Sequence, residues 1–144
     1  RAARAPGKDP VAAGHLITGR CGEDLAADFL QEKGLRVTER NVRCVGGELD
    51  LVCEDRGTIV FVEVKTRSGH VRGEPGEAVG PAKKMRLVRA ASQYLSRKKA
   101  WSRPCRFDLV AVLFLDGETL VEHWEDIIDV RDGLDRGHAP WQPW

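Results

Sequence analysis

The 144-residue chain carries 23 Lys+Arg against 22 Asp+Glu, a formal net charge of +1, with 42% hydrophobic and 31% charged residues. That balance excludes a protein that coats nucleic acid indiscriminately, so any basic surface must be local. The length suits one domain that buries about two thirds of its unfolded surface. No run approaches the ~18 apolar residues of a membrane span, and the opening RAARAPGKDPVAAG lacks the apolar centre of a secretory signal. No membrane partner is expected, and cytoplasmic residence is the default.

Residues 1–13 mix Arg, Ala, Pro and Gly without periodicity and read as a flexible basic arm. A folded domain is expected over 14–128, followed by a tail over 129–144 that holds Trp141 and Trp144 and is as readily disordered as docked. From about Gly14 or Gly19 to Lys33, Cys21, Leu25, Ala26, Phe29 and Leu30 recur at helical spacing, and Gly34 stops the run. Glu23 and Asp24 fall in what reads as the first turn of this helix, where the helix dipole favours acids. Glu23 also lies near the edge of the apolar stripe, from which a carboxylate could reach inward.

Leu35 to Cys44 reads as a strand leading through Val45-Gly46-Gly47 into a hairpin. The hairpin joins Glu48–Glu54 to Thr58–Lys65 through Arg56-Gly57. In that register Asp55 faces Thr58, Asp50 faces Glu63 and Glu48 faces Lys65. Like charges directly opposed across strands repel, so an Asp facing a Glu calls for a cation. Glu63 and Lys65 are two apart and share a face, and a one-residue slip would send Asp50 to the other side. The second hairpin strand is apolar on both faces, as a strand covered from both sides would be, which makes its terminal charges anomalous.

After Lys65 come about fifteen residues rich in Gly, with Pro75 and a lone His70 that reads as solvent-exposed. Pro81 opens a second helix with Met85, Leu87, Val88, Ala91, Tyr94 and Leu95 on one arc. Lys83, Arg86, Arg89 and Arg97 lie outside that arc. They form either a solvated face or a ridge able to meet phosphates, and Arg67 stands at the loop's start. Cys105–Leu115 is the most apolar strand candidate, with Arg106 and Asp108 two apart on one face at its start, in a structural role either paired with each other or with the sheet end, and Asp116-Gly117 turns it into a final strand. The four cysteines, Cys21, Cys44, Cys53 and Cys105, lack C-x-x-C spacing and read as buried free thiols rather than zinc ligands.

Asp50 and Glu63 offer hard oxygen ligands suited to Mg²⁺ or Mn²⁺, and the carbonyl of Val64 could add a third. A divalent cation polarises a phosphoryl oxygen and lowers the pKa of water, while Lys65 can orient that water or offset transition-state charge. In outline this is a site for phosphodiester hydrolysis.

An Asp followed a dozen residues later by Glu-x-Lys, in α-β-β-β-α-β-β order, resembles the PD-(D/E)xK, or restriction-endonuclease-like, nuclease fold. The segments GRCGEDLAADFL, RNVRCVGGELDLV, VFVEVKTR and KKMRLVRAASQYL resemble more closely the small bacterial YraN-like family, related to archaeal Holliday junction resolvases. The resemblance spans about Gly19 to Glu125. It implies an α/β fold with a mixed central sheet flanked by helices, and a Mg²⁺- or Mn²⁺-dependent site. It implies Asp50 and Glu63 as ligands, Lys65 as the catalytic lysine and Glu23 as a helix-borne acid, and it also picks out Lys83. Leu49 stands where the motif's name has proline. The expected activity is endonucleolytic cleavage of DNA, branched or structured DNA included, in recombination or repair. The alternative is a nucleic-acid-binding or adaptor module that keeps the fold without catalysis. Resolvases act on two-fold symmetric junctions, which adds a homodimer to the expected partners.

Overall fold

The computed structural model describes residues 2–4, 18–68 and 79–128, with side chains over 22–68 and 79–128. The elements follow the expected order α-β-β-β-α-β-β, preceded by one short strand. They are β1 (Ala2–Arg4), α1 (Thr18–Glu32), β2 (Arg36–Cys44), β3 (Gly47–Asp55), β4 (Thr58–Ser68), α2 (Pro81–Lys98), β5 (Cys105–Leu115) and β6 (Glu118–Trp124). The strands form one mixed sheet in the order β1-β6-β5-β4-β3-β2. Of the expected arm, Ala2–Arg4 pair antiparallel with β6. The rest of the arm, the Gly-rich loop with His70, and the tail after Ile128 lie outside the described residues.

Two tight turns set the antiparallel registers. Arg56 (φ 52°) and Gly57 (φ 91°) close β3 onto β4, and Asp116 (φ 45°) and Gly117 (φ 78°) close β5 onto β6. Two successive positive φ values are what a type I′ hairpin turn requires, and the pairs Asp55↔Thr58 and Leu115↔Glu118 follow. β4 runs parallel to β5 over its length, from Ile59↔Cys105 to Ser68↔Phe114. A parallel partner needs a crossover, and α2 lies within it.

The double-sided apolar pattern of β4 has its expected cause. Ile59 and Phe61 face a core built with Leu87, Ala90, Ala91, Tyr94 and Leu95 of α2. Val60 and Val62 face a second core with Ala26, Ala27 and Leu30 of α1. Each helix buries one apolar stripe on one face of the sheet, the usual way a central strand is removed from water.

Three expectations need correction. α1 begins at Thr18 and has no acid in its first turn, so Glu23 and Asp24 lie beyond the reach of the dipole effect, which fades within one turn. Met85 is 40% exposed, because the apolar stripe of α2 is completed by Ala90 instead. Among the described cysteines only Cys53 is buried, and Cys44 and Cys105 are half-exposed free thiols. Burial pushes the Cys53 thiol up to about 12 and that of Cys105 up to about 11, so neither supplies a thiolate at neutral pH.

Candidate active site at the β3–β4 divergence

The site forms where β3 leaves β4. Main-chain pairing runs from Asp55↔Thr58 to Leu51↔Val62 and ends there. At the next step Asp50 Oδ2 accepts the Val64 N–H at 2.8 Å, so a carboxylate takes the place of the missing backbone acceptor. The expected register thus holds as far as Leu51, and Asp50 meets β4 beside Glu63. It does not extend to Glu48, which pairs with Arg43 of β2 rather than facing Lys65.

The cause of the divergence lies partly in β2. Arg40↔Leu51 and Val42↔Leu49 are paired, while Asn41, between them and so level with Asp50, takes φ 49°. Asn tolerates this left-handed conformation better than most residues. The break frees the Asn41 side chain, whose Nδ2 donates to Glu23 Oε1 at 3.0 Å. Glu23 is delivered from the other side by a close helix approach. A Cβ on Gly22 would stand 2.1 Å from Thr66 Oγ1, so only glycine lets α1 seat against β4 beside Lys65. The neighbouring Asp24 is bound outward by Arg40 Nη1 at 2.9 Å.

Glu63 is 4% exposed, and its Oε2 lies 3.1 Å from Lys83 Nζ and 3.6 Å from Lys65 Nζ. Lys83, expected on the basic face of α2, is half-buried and turned into the site. Burial, the charge of Glu63 and that of Glu23 push the Asp50 carboxyl up to about 7 against the opposing pull of the Val64 N–H and Lys83. Asp50 is therefore a proton-holding carboxyl poised near neutral pH beside a second carboxylate, a common signature of a functional site.

The linkage follows from the sign. Because the folded state holds the Asp50 proton more tightly than the unfolded chain, stability falls as pH rises from about 4 to about 7, and the penalty persists above that. Asp50→Asn keeps an acceptor for Val64 and removes the penalty. At pH 8 it should stabilise the protein by about 1 to 2 kcal/mol, well short of the ~4 kcal/mol that 1.36 kcal/mol per pH unit would give for a fully buried group. Thermal denaturation at pH 8 and at pH 4 checks this, with a gain of a few degrees at the first and almost none at the second.

Among the described residues no three His, Cys, Asp or Glu side chains are arranged to hold a metal ion. The donor set is instead two carboxylates and a carbonyl. In an extended strand the N–H and C=O of one residue point to the same side. The Val64 carbonyl is therefore directed the way its N–H is, toward Asp50 and away from β5. Two carboxylates close enough for the charge of Glu63 to raise Asp50, with a carbonyl alongside, are oxygen groups of the kind a hard divalent cation takes.

Around this centre Arg86 and Arg89 are exposed on α2, and Arg67 is exposed with Nη1 donating to the Thr66 carbonyl at 3.3 Å. None of the three has an ion-pair partner among the described residues. A concavity of about 420 Å³ lies at the other end of α2, lined in part by Glu39, Glu54, Tyr94 and Lys98. Its acids are already paired, Glu39 with Lys98 at 3.1 Å and Glu54 with Arg36 and Arg103 at 2.6 and 2.9 Å. With each carboxylate held by a cation, it is set apart from the site.

A family model described as "Uncharacterised protein family UPF0102" matches residues 22–112, a span that contains Glu23, Asp50, Glu63, Lys65 and Lys83. A UPF0102 protein of Nitratidesulfovibrio vulgaris (strain DP4) is 47% identical over 127 residues, covering 88% of this chain and 95% of its own. UPF0102 proteins of Symbiobacterium thermophilum and Lawsonia intracellularis are 54% identical over 94 residues and 38% over 126, covering 65% and 88% of this chain and 80% and 96% of theirs. With most of the chain and its whole candidate site inside these matches, the protein belongs to the UPF0102 family.

Proposed function

We propose that the protein is a metal-dependent endonuclease that hydrolyses phosphodiester bonds in DNA, with a site of the PD-(D/E)xK kind. The observation that carries the reading is the convergence of Asp50 and Glu63 where β3 leaves β4, with Lys65 and Lys83 on Glu63. Asp50, Glu63 and the Val64 carbonyl would hold Mg²⁺ or Mn²⁺, which when bound supplies charge for a phosphoryl oxygen and lowers the pKa of water. Lys65 presents an ammonium beside the reacting phosphate, where it offsets charge that grows in the transition state. Lys83 restrains Glu63 from the α2 side. Glu23, held by Asn41, is placed to accept a proton or a hydrogen bond from water entering the site. Exposed Arg67, Arg86 and Arg89 supply phosphate contacts around it.

The test is calorimetric titration with Mn²⁺ across pH. The wild type should bind one ion, Asp50→Asn and Glu63→Gln should bind none measurably, and affinity should fall about tenfold per pH unit below pH 7 as Asp50 retains its proton. Binding that survives both substitutions would remove the metal site from the account.

One observation favours a second reading. Two ammonium groups on Glu63 can neutralise it without a metal, as in a nucleic-acid-binding or adaptor module that keeps the fold. That module would bind DNA in a salt-sensitive way, indifferent to Glu63→Gln and weakened by charge reversal at Arg86 and Arg89.

A further inference from the structure

The turn joining β2 to β3 is mounted on α2 almost residue by residue. Arg97 donates to the Arg43 carbonyl at 3.3 Å and approaches Cys44 Sγ at 3.5 Å. Gln93 Oε1 accepts the Val45 N–H at 2.5 Å. A Cβ on Gly46 would stand 2.7 Å from Arg89 Cβ, so the turn rests directly on the helix there. Arg97, Gln93 and Arg89 are each four residues apart and form one row along α2. The next residue in that row, toward the site, is Met85.

Val45, at the tip of this fixed turn, is 90% exposed, and Met85 is 40% exposed. Lone exposed apolar side chains are ordinary. Here the backbone carrying one is held by three contacts and a second lies farther along the same helical row; Arg89 under the turn and Arg86 next to Met85 are exposed without ion-pair partners among the described residues, while Arg43 lies opposite the exposed Glu48. An apolar tip with exposed arginines on the helix beneath it matches a nucleic-acid strand, which offers charged phosphates and, where a base step is opened, an apolar base face.

The distance to the site fits such a strand. Arg89 and Gln93 follow Lys83 by six and ten residues, about 9 to 15 Å along a helix axis at 1.5 Å per residue. That corresponds to about three to four nucleotides at 3.4 Å each.

We propose that Val45 is a base-contacting residue that packs against an unstacked base a few nucleotides from the scissile phosphate, with Arg89 holding the adjoining phosphate. The contact rests on the nuclease reading above. It makes the preferred substrate a DNA with an opened base step, whether a mismatch, a gap or a single-stranded stretch, over intact duplex.

Fluorescence anisotropy of the full chain in chelator, with a duplex and with the same duplex carrying a three-nucleotide unpaired bubble, tests it. The wild type should favour the bubble by about tenfold, because its opened step spares the unstacking that intact duplex must undergo before the apolar contact forms. Val45→Asn should reduce that preference to less than twofold, Val45→Leu should keep it, and Arg89→Ala should weaken binding to both DNAs while keeping it. Equal affinity for the two DNAs in the wild type, or an undiminished preference in Val45→Asn, overturns the contact and leaves the nuclease reading to its own metal-dependent cleavage test. Binding to neither DNA overturns both.

Discussion

If the protein is the proposed nuclease, Glu63→Gln should lower single-turnover cleavage of DNA in Mg²⁺ by at least about 10³-fold, because it removes a charge of the proposed metal site and the anchor of two lysines together. The side chain is almost wholly buried, and its Oε2 is shared between Lys65 and Lys83. A neutral amide of the same shape keeps the packing while withdrawing the negative charge that a divalent cation needs. Lys65→Ala should behave differently. It leaves Asp50, Glu63 and the Val64 carbonyl in place, so Mn²⁺ binding persists while the rate falls about 10²- to 10³-fold, the usual cost of losing one group that stabilises transition-state charge. Single-turnover rates and metal titrations on the same preparations check the pair. A Lys65→Ala protein that cleaves at the wild-type rate would leave that lysine a purely structural partner of Glu63.

Asp108→Ala should cost about 3 to 5 kcal/mol of stability, the range for breaking a buried charge pair, and so a large share of the ~5–15 kcal/mol that holds a domain together. Asp108 is fully buried. It accepts two hydrogen bonds from Arg106 at 3.0 and 3.1 Å, one from His123 Nε2 at 2.9 Å and one from the Asp126 N–H at 2.9 Å. Lys33 Nζ lies 2.7 Å from His123 Nδ1. An ammonium only donates, so Nδ1 accepts and the ring proton sits on Nε2, facing Asp108. Removing the carboxylate strands the His123 N–H and leaves the Arg106 guanidinium with only Asp55 at 3.1 Å and Glu125 at 3.9 Å. The network ties β5, β6 and the end of α1 together, and Asp108 lies one residue before Leu109, which pairs with Glu63.

Burial alone would raise the Asp108 carboxyl, but the hydrogen bonds from His123, Arg106 and Asp126 outweigh it and hold the carboxyl below its ordinary value of 3.8. The unfolded chain therefore binds that proton more readily, so the stability is present above about pH 4 and is lost as pH falls through the lowered folded value. Denaturant unfolding at pH 7 measures the loss for Asp108→Ala. The difference between wild type and variant should narrow as the pH drops below 4.

The strand period and the Arg56-Gly57 turn made the approach of Asp50 to Glu63, and of Lys65 to Glu63, legible in the sequence, since both act between close neighbours along the chain. The doubly apolar β4 likewise announced a helix on each face. The partners of these groups were not legible from spacing, although the family resemblance picked out Lys83. Lys83 falls on the polar arc of α2 by helical angle, and only the seating of α2 on the sheet turns its long side chain inward to Glu63. Asn41 carried a weak local signal, as a residue that tolerates positive φ, but its hold on Glu23 depends on α1 packing close against β4 at Gly22. The pairing of Arg106 with Asp108 was readable from their spacing, whereas His123 and Lys33 come from elements far away in sequence. Extending the hairpin register to Glu48 failed because it assumed an unbroken strand, and the break at Asp50 is what creates the site.

The most direct test of the central claim is cleavage by the purified wild type of a DNA panel comprising linear duplex, nicked, flapped and four-way forms, in Mg²⁺ and in chelator. Products should form from at least one of these DNAs in Mg²⁺ and from none in chelator, and the same products should be absent for Glu63→Gln. A wild type that binds Mn²⁺ through Asp50 and Glu63 yet cuts none of these DNAs would contradict it.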